Sequence, residues 1–400
     1  MTSRFSAFVL AAVLLVPVAD AQNRPRTRQT SPRPAPNQPS RPAEPATPVV
    51  PVMNPSTNLF APLALPTPNE YRSADGRPGP RYWQQKADYR IRATLDPNTH
   101  RVTGTVSIRY TNNAPQPLQH LWMALEQNLF APESRGANIQ PGDSRWRGSF
   151  AGGGFQLSRV EIAQGGQRYG VVPVVDDTRM RLDLRQPLAA AGGTVDVDVD
   201  FSFIVPEYGA DRLGRFAAQR GTVYELAQWY PRMYVYDDVN GWNPLPYYGQ
   251  GEFYLSYGDY DVEITAPADM VVVAGGELTN PQEVYTPEQV RRWAQARSSA
   301  ATVPIIAPDE VGSPASRPQV SGGMLTWKFR LQNARDFAWA ASRAFILDAA
   351  SWENVLLISA YPHEGIGTPG QTTEGWEMST QYLRHTISYY SQQWFRYPYP

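Results

Sequence analysis

Apolar and polar residues alternate along the chain between residues 86 and 112. The apolar positions from Ala87 to Leu95 are separated by single polar residues, and the pattern returns from Val102 to Tyr110. A period of two residues is typical of a strand with one face in the core and the other in water. Residues 96–99, Asp-Pro-Asn-Thr, are turn formers. The pattern therefore predicts a β-hairpin over this segment.

The same alternation predicts further strands at residues 121–125, 180–184, 195–205, 252–267, 270–275 and 325–332. Residues 195–205 show it most clearly, with Val and Phe on one face and Asp196, Asp198 and Asp200 on the other. Three aspartates on one face are compatible with a cation site. A solvated face that discourages pairing with another strand edge is the more common arrangement.

A short helix is predicted after Thr286. Thr286 can cap its start, Pro287 suits the first turn, and Val290 and Trp293 share one apolar side. The following residues, 297–318, are rich in turn formers and are expected to form a mobile surface loop.

The last segment is expected to be helical. Trp376, Leu383, Ile387, Tyr390 and Trp394 recur at steps that keep one face apolar. Thr372 or Thr373 can cap the start, and Pro398 and Pro400 would end the helix. Many strands followed by a helix suggest a β domain that leads into a different, helical one.

The first 79 residues have the composition of a targeting segment and a spacer. Residues 1–21 combine Arg4, an apolar run and the small-x-small pattern Ala19-Asp20-Ala21, which is typical of a secretory signal peptide; an uncleaved anchor is the alternative. Residues 22–79 are dense in Pro and polar residues, and we expect a disordered linker. No later segment is long enough to span a bilayer. The protein is thus expected to be exported, to a periplasm or beyond.

Composition excludes several classes of function. The 400 residues carry a net charge of −1, so nothing in the charge balance favours a nucleic-acid partner. Cysteine is absent, which excludes disulfides, thiol nucleophiles and cysteine zinc sites. The chain is long enough for more than one domain. The oligomeric state cannot be inferred from these features.

The four histidines do not form a zinc motif. A zincin site needs two histidines one helical turn apart with a glutamate beside the first. His363-Glu364 imitates its start, but Gly365, Gly367 and Pro369 disfavour a helix there. His385 has no second ligand at a suitable spacing. We therefore assign no metal ligand and no catalytic residue, and expect no cofactor in this chain alone.

Other catalytic motifs, including nucleophile elbows, P-loops and dinucleotide loops, are also missing. Asp237, Asp238 and Glu225 are candidate acid–base carboxylates, although paired acids near turns usually bind backbone amides. Residues 229–260 are rich in Tyr and Trp, which suits either a sugar or peptide platform or an aromatic core.

Several stretches together resemble the amino-terminal region of aminopeptidase N-like zinc metallopeptidases. They are "DYRIRATLDPNTHRVTGTVSIRYTNNAPQPLQHLWMAL", "YELAQWYPRMYVYDDVNGWNPLPYYGQGEFYLSYGDYDVEITAPADMVVVAGGEL" and the closing "WFRYPYP". The resemblance covers most of residues 82–400 in collinear order. It is specific to the family but not to one substrate.

The resemblance implies a mainly β fold. Residues 80–350 would form a saddle-like antiparallel β-sandwich domain, and residues 351–400 the start of an α/β thermolysin-like catalytic domain. The family's G-x-M-E-N and H-E-x-x-H motifs follow the point where this chain stops, so the chain is expected to be an inactive fragment of a longer enzyme. That enzyme would hold zinc and remove residues from peptide amino termini. The alternative is a zinc-less module that binds peptides or glycans.

Glu225 and Gln228 are the two substrate-binding candidates that the resemblance implies. In the family, a Gln or Glu of the β domain binds the free amino group of the substrate, directly before a small residue and upstream of an aromatic-Pro step. Here Glu225 is separated from Ala227 by Leu226, and Gln228 competes for the role. A carboxylate suits the task because it pairs with an ammonium group and disfavours blocked amino termini.

Overall fold

The computed structural model describes residues 67–139, 153–207, 213–249, 253–367 and 375–399. The predicted signal peptide, residues 1–21, and most of the predicted linker lie outside the described residues. The linker's last part is described, and there Arg72 makes two hydrogen bonds with Asp238, of 2.7 and 2.9 Å. This ion pair joins the end of the linker to the β-rich part of the chain.

Strands make up most of the regular structure. In chain order they are β1 (Lys86–Asp96), β2 (Arg101–Asn112), β3 (Leu118–Ala124), β4 (Gln156–Gln164), β5 (Gln167–Gly170), β6 (Val174–Asp176), β7 (Arg179–Leu188), β8 (Gly193–Ile204), β9 (Leu213–Ala218), β10 (Gly221–Leu226), β11 (Arg232–Met233), β12 (Tyr236–Asp237), β13 (Gly241–Trp242), β14 (Gly258–Pro267), β15 (Val271–Ala274), β16 (Glu277–Leu278), β17 (Val303–Ile306), β18 (Met324–Ala334), β19 (Trp339–Ser342), β20 (Ile346–Trp352) and β21 (Val355–Tyr361). The α-helices are α1 (Arg135–Ile139), α2 (Pro281–Val284), α3 (Pro287–Ala296) and α4 (Ser379–Gln393).

The largest sheet has eight strands in the order β16-β18-β14-β1-β2-β8-β4-β5. The predicted hairpin is confirmed as β1 and β2, which pair from Lys86 with Thr111 to Asp96 with Arg101. The carboxylate of Asp96 accepts from the Asn98 amide and the Thr99 hydroxyl, which closes the turn. The alternation puts Ile91 and the other apolar side chains of these strands in the core.

Smaller sheets pack around the large one. Their strand orders are β15-β19-β10-β9, β11-β3-β7-β6, β17-β20-β21 and β12-β13. Among the described strands, β1 and β14 pair in parallel, and the other pairs are antiparallel. The predicted mainly β fold with antiparallel sheets is therefore confirmed.

The acidic face of β8 is an ion-pair ladder. Asp196 binds Arg109 of β2 through two hydrogen bonds of 2.8 and 3.0 Å. Asp200 binds Arg159 of β4 through two of 2.7 and 2.8 Å. Asp198 pairs with an arginine of β5. Because each carboxylate already faces a guanidinium, the face is organised as a charged sheet surface and not as a cation site.

The insertion between β16 and β18 contains the predicted helix and an unexpected strand. Thr286 accepts from the Gln289 amide and the Gln289 side chain caps Thr286 in return, which makes α3 a capping-box helix. The segment expected as a loop, residues 297–318, contains β17, which pairs with β20. Four residues are too few for a periodic signal, and burial of Ile305 against the core decides their conformation.

Helix α4 contacts the three-stranded sheet through polar residues, Thr380 and Arg384. Thr380 is buried and its hydroxyl donates to Ser359 Oγ at 2.9 Å, while Arg384 Nε donates to the Ser351 carbonyl at 3.1 Å. The helix starts at Ser379 after a 3-10 turn and ends at Gln393, ahead of Pro398. The predicted caps, Thr372 and Thr373, and Pro400 lie outside the described residues.

Most of the residues predicted to form the apolar face of the last helix are exposed, and Ile387 is half-buried. Exposed fractions are 58% for Trp376, 57% for Tyr390 and 77% for Trp394. The predicted helix exists, but Trp376 precedes α4 and Trp394 follows it, and the buried residue of the helix is Thr380. The predicted domain boundary between residues 350 and 351 falls within β20, and the division into domains remains a prediction.

None of the helices in the described residues has the length and apolar character needed to cross a membrane.

Candidate functional site

Glu225 is an exposed residue near the end of β10. Its neighbours Tyr224 and Leu226 are buried, so the alternation of the strand turns the Glu225 side chain outward. Its cross-strand partners are Gly214 on β9 and Ala340 on β19, both small. Among the described residues, the carboxylate has no hydrogen-bond or ion-pair partner. It is therefore free to pair with a cation.

Gln228 lies two residues beyond β10 in a left-handed backbone conformation, with a φ of 49°. Residues other than glycine rarely adopt this conformation, and when they do the surrounding structure has to hold it. The Gln228 carbonyl accepts a hydrogen bond of 2.8 Å from Gln127 Nε2, and both residues are buried. Among the described residues, nothing hydrogen-bonds the side-chain amide of Gln228. The backbone at this position is thus held while the amide group stays unpaired.

The segment between β10 and β11, residues 227–231, is called here the corner. Trp229 Nε1 donates to the Phe337 carbonyl at 2.9 Å, and its ring packs edge-on against Trp339 at 5.7 Å between centroids. The Tyr230 hydroxyl donates to Asp336 Oδ1 at 2.8 Å. These contacts tie the corner to the segment that joins β18 and β19.

A buried ion network holds the start of β11. Arg232 Nε donates to Glu126 Oε1 at 2.7 Å and Arg232 Nη1 donates to Asp336 Oδ2 at 2.5 Å. The side chains of Arg232 and Glu126 are 1% and 4% exposed. Burial raises the pKa of Glu126, and the charge of Arg232 offsets this only in part. The network connects three segments that are distant along the chain.

The aromatic residues of the segment 229–260 are mostly core. Trp229, Tyr230 and Tyr260 are almost completely buried, and Tyr89 of β1 stacks on Tyr260 at 4.8 Å. Burial raises the pKa of Tyr89, so its hydroxyl stays protonated at neutral pH. This favours the aromatic-core interpretation over a binding platform for the central part of the segment.

The two carboxylates of Asp237 and Asp238 have structural partners. Asp237 accepts from the backbone amides of Val239 and Asn240, at 3.0 and 2.8 Å. Asp238 is held by Arg72, whose hydrogen bonds lower the pKa of that carboxyl. Both geometries correspond to acids that stabilise a turn and an ion pair, which leaves little capacity for proton transfer.

The histidines do not converge on a metal position. His363 lies in a 3-10 turn, and the neighbouring Glu364 accepts from the Gln219 amide. The His385 ring stacks on Tyr389 at 6.2 Å on α4. Within the described part of the chain, no group of three His, Cys, Asp or Glu side chains is placed to hold a metal ion.

Three residues of this region had no signal in the sequence: Glu126, Gln127 and Asp336. Glu126 and Gln127 follow the apolar residues of β3 in a 3-10 turn, and both are buried. Their partners are 106 and 101 residues away, a pairing that periodicity cannot indicate.

Comparison with solved structures finds zinc metallopeptidases at low similarity. An M1 zinc metallopeptidase from Deinococcus radiodurans is 14% identical, with a TM-score of 0.42, and the match covers 79% of this chain and 55% of that one. A mutant two-domain M1 zinc metallopeptidase bound to L-arginine gives 13% identity, a TM-score of 0.42 and the same coverages. The mutant bound to L-tryptophan gives 14% identity and a TM-score of 0.41, with 81% and 57% covered.

The chain spans a little over half the length of these solved structures. No protein-family model matches it, and no curated protein matches it. Structural similarity of this size does not assign the chain to the family.

Proposed function

We propose that this chain is the amino-terminal, non-catalytic part of an exported zinc aminopeptidase of the aminopeptidase N type. The proposal rests on the collinear sequence resemblance of residues 82–400. Zinc belongs in this proposal to the longer enzyme. The chain's own contribution would be to form one wall of the substrate site and to bind the peptide's amino end.

The orientation of α4 is the structural observation that carries the proposal. Its aromatic face, which includes Tyr382, Tyr389, Tyr390 and Trp394, is exposed although such a face normally lies in a core. An uncovered apolar face of this kind is typical of an interface. The resemblance implies that the rest of a thermolysin-like domain covers it.

Glu225 and Gln228 are the residues proposed to meet the substrate. Glu225 presents an unpaired carboxylate between two small neighbours, and such a group pairs well with an ammonium ion. The bond from Gln127 fixes the backbone of Gln228, and its side-chain amide is unpaired. The oxygen of that side-chain amide can accept a hydrogen bond from the same ammonium ion. Either group would make binding depend on a free, charged amino terminus.

The test first reads the coding sequence past residue 400 and then uses the complete protein that it encodes. That protein should hydrolyse alanyl or leucyl chromogenic substrates and lose this activity when the amino group is acetylated. Glu225→Ala or Gln228→Ala should raise KM for the free-amino substrate by about tenfold or more, since a charge-assisted hydrogen bond is lost. Glu277→Ala, which removes an exposed glutamate from another strand, is the matched control and should leave KM unchanged.

Two results would contradict the proposal. The first is a stop codon directly after residue 400 together with a purified chain that binds peptides or glycans by itself; this would favour the module. The second is normal KM values in both the Glu225→Ala and the Gln228→Ala variants, which would remove these residues from the site.

Export is a separate part of the proposal. Mass spectrometry of the protein from its native host should find Gln22 at the amino terminus, because residues 19–21 match a signal-peptidase site. Retention of Met1 in the mature protein would contradict it.

A further inference from the structure

A cleft of about 740 Å³ lies beside the insertion, away from the corner. Three arginines, Arg220, Arg317 and Arg343, line it together with a single acid, Asp269. Its remaining lining is largely apolar. The excess of positive charge is the first indication that the cleft takes an anion.

Arg317 is a buried cation without a carboxylate partner. It is 8% exposed, and its Nε donates to the Ala268 carbonyl at 3.1 Å while Nη2 donates to those of Met270 and Val284 at 2.9 and 3.2 Å. No described residue accepts from its Nη1. Burial lowers the pKa of Arg317 to about 10, so it remains charged at neutral pH.

An unpaired buried charge is costly, and native proteins normally pair it. The backbone carbonyls around Arg317 satisfy hydrogen bonds but supply no negative charge. Asp269, the acid of the cleft, is engaged by Arg343 at 3.3 Å. The Trp327 ring lies 5.6 Å from the Arg317 guanidinium and Asp269 acts on it without a direct ion pair, so the described residues compensate this charge only in part and an anion in the cleft would add to it.

Arg220 and Arg343 are the two arginines that a ligand can reach, and Arg343 would bind it with the part of its guanidinium that does not pair with Asp269. Both are exposed, whereas the guanidinium of Arg317 is enclosed. Arg220 Nη1 donates to the Val311 and Pro308 carbonyls at 2.7 and 3.3 Å, which holds its side chain at the cleft, and no described residue accepts from its other nitrogens. Gly221 allows Arg343 to lie close, because a Cβ there would overlap the Arg343 side chain.

We propose that this cleft binds a phosphate-type dianion, with Arg220 and Arg343 as direct donors and Arg317 as the fixed charge behind them. Guanidinium groups match phosphate oxygens in geometry and charge, and two can bind one anion at once. The apolar lining suits the organic part of a phosphate ester. The inference is independent of the proposed peptidase function.

Isothermal titration of the purified chain with inorganic phosphate, at constant ionic strength, tests the site. We expect saturable binding that Arg220→Gln and Arg343→Gln each weaken at least tenfold and that the double variant abolishes. Arg330→Gln is the matched control: it removes an exposed arginine from the large sheet, which lines a different depression, and should change nothing. Phosphate should also raise the Tm of the wild type but not of the double variant.

Titration with phenyl phosphate distinguishes an organic phosphate ester from free inorganic phosphate as the ligand. Tighter binding than inorganic phosphate would identify an organic phosphate as the ligand, and equal binding would identify the free ion. The proposal is wrong if phosphate does not bind saturably, if the double variant binds as well as the wild type, or if Arg330→Gln weakens binding equally. The buried Arg317 is left intact because its loss would orphan three carbonyls.

Discussion

Two groups of ion pairs in this molecule have similar distances and very different surroundings. The buried network joins Arg232 to Glu126 and Asp336 at 2.7 and 2.5 Å. The exposed ladder on the large sheet joins Arg109 to Asp196 at 2.8 Å, with side chains 63% and 38% exposed. The distances alone would suggest ion pairs of similar strength, but the buried pair is surrounded by protein and the exposed pair by water.

The difference concerns what happens when one partner is removed. At the Arg109–Asp196 pair of the ladder, water replaces the lost partner, and the remaining charge is solvated at little cost. In the buried network, the remaining charge has no such replacement. We therefore assign the network to the positioning of the corner, and the ladder to keeping the broad face of the large sheet polar, since β8 is paired on both sides.

Arg232→Ala should give the largest effect. The substitution leaves the Glu126 carboxylate buried with no positive charge beside it, and it removes the ion pair between Asp336 and β11. We therefore expect the free energy of unfolding to fall by about 3–5 kcal/mol. Urea unfolding monitored by tryptophan fluorescence measures this.

The double variant Glu126→Leu with Arg232→Met is the control for that prediction. It removes both buried charges and fills similar volume, so it should recover most of the lost stability. Equal destabilisation by the single and double variants would mean that packing, and not uncompensated charge, causes the loss.

The two regions should also respond to pH with opposite sign. The pKa of Asp200 is lowered, chiefly by its hydrogen bonds from Arg159, so its stabilisation is present above the unfolded value of about 4 and is lost as pH falls through the folded pKa. The pKa of Glu126 is raised by burial, so its contribution is present below about 4.3 and is lost as pH rises through the folded pKa.

Asp200→Asn and Glu126→Gln separate these contributions. Relative to the wild type, Asp200→Asn should gain stability as pH falls, whereas Glu126→Gln should gain stability as pH rises. Urea unfolding at a series of pH values from about 3 to 7 gives both slopes. Slopes of the same sign would remove the distinction between the two regions.

The smallest effect is expected on the ladder. A double-mutant cycle on Arg109 and Asp196 should give a coupling free energy of about 0.2–1 kcal/mol, because both side chains are largely in water. The coupling should fall further in about 1 M salt, where the Debye length is about 3 Å. A salt-independent coupling above this range would show that the ladder behaves like a buried network.

Local patterns predicted the elements whose residues interact with near neighbours. The hairpin β1–β2 follows from alternation and a four-residue turn, and α3 from Thr286, Pro287 and the apolar side of the helix. β17 was missed because it is too short to show a period. Its partner β20 is about 40 residues away in the chain.

The candidate site could be predicted only in part. The family resemblance indicated Glu225 and Gln228 as substrate-binding candidates. The alternation of buried and exposed residues along β10 would by itself place the Glu225 side chain outward. The left-handed conformation of Gln228 and the bond from Gln127 could not be predicted, since Gln127 lies 101 residues away. The role of these residues in substrate binding stays a prediction.

By itself, the sequence determined which side chains share a face, because strand and helix geometry depend only on local spacing. It therefore determined the β-rich fold class and the acidic face of β8. Only the tertiary structure decided what each face meets. The aspartates of β8 meet arginines from neighbouring strands, and α4 contacts the three-stranded sheet through Thr380. Such pairings depend on register and packing between segments about 20 to 100 residues apart, and no local period encodes them.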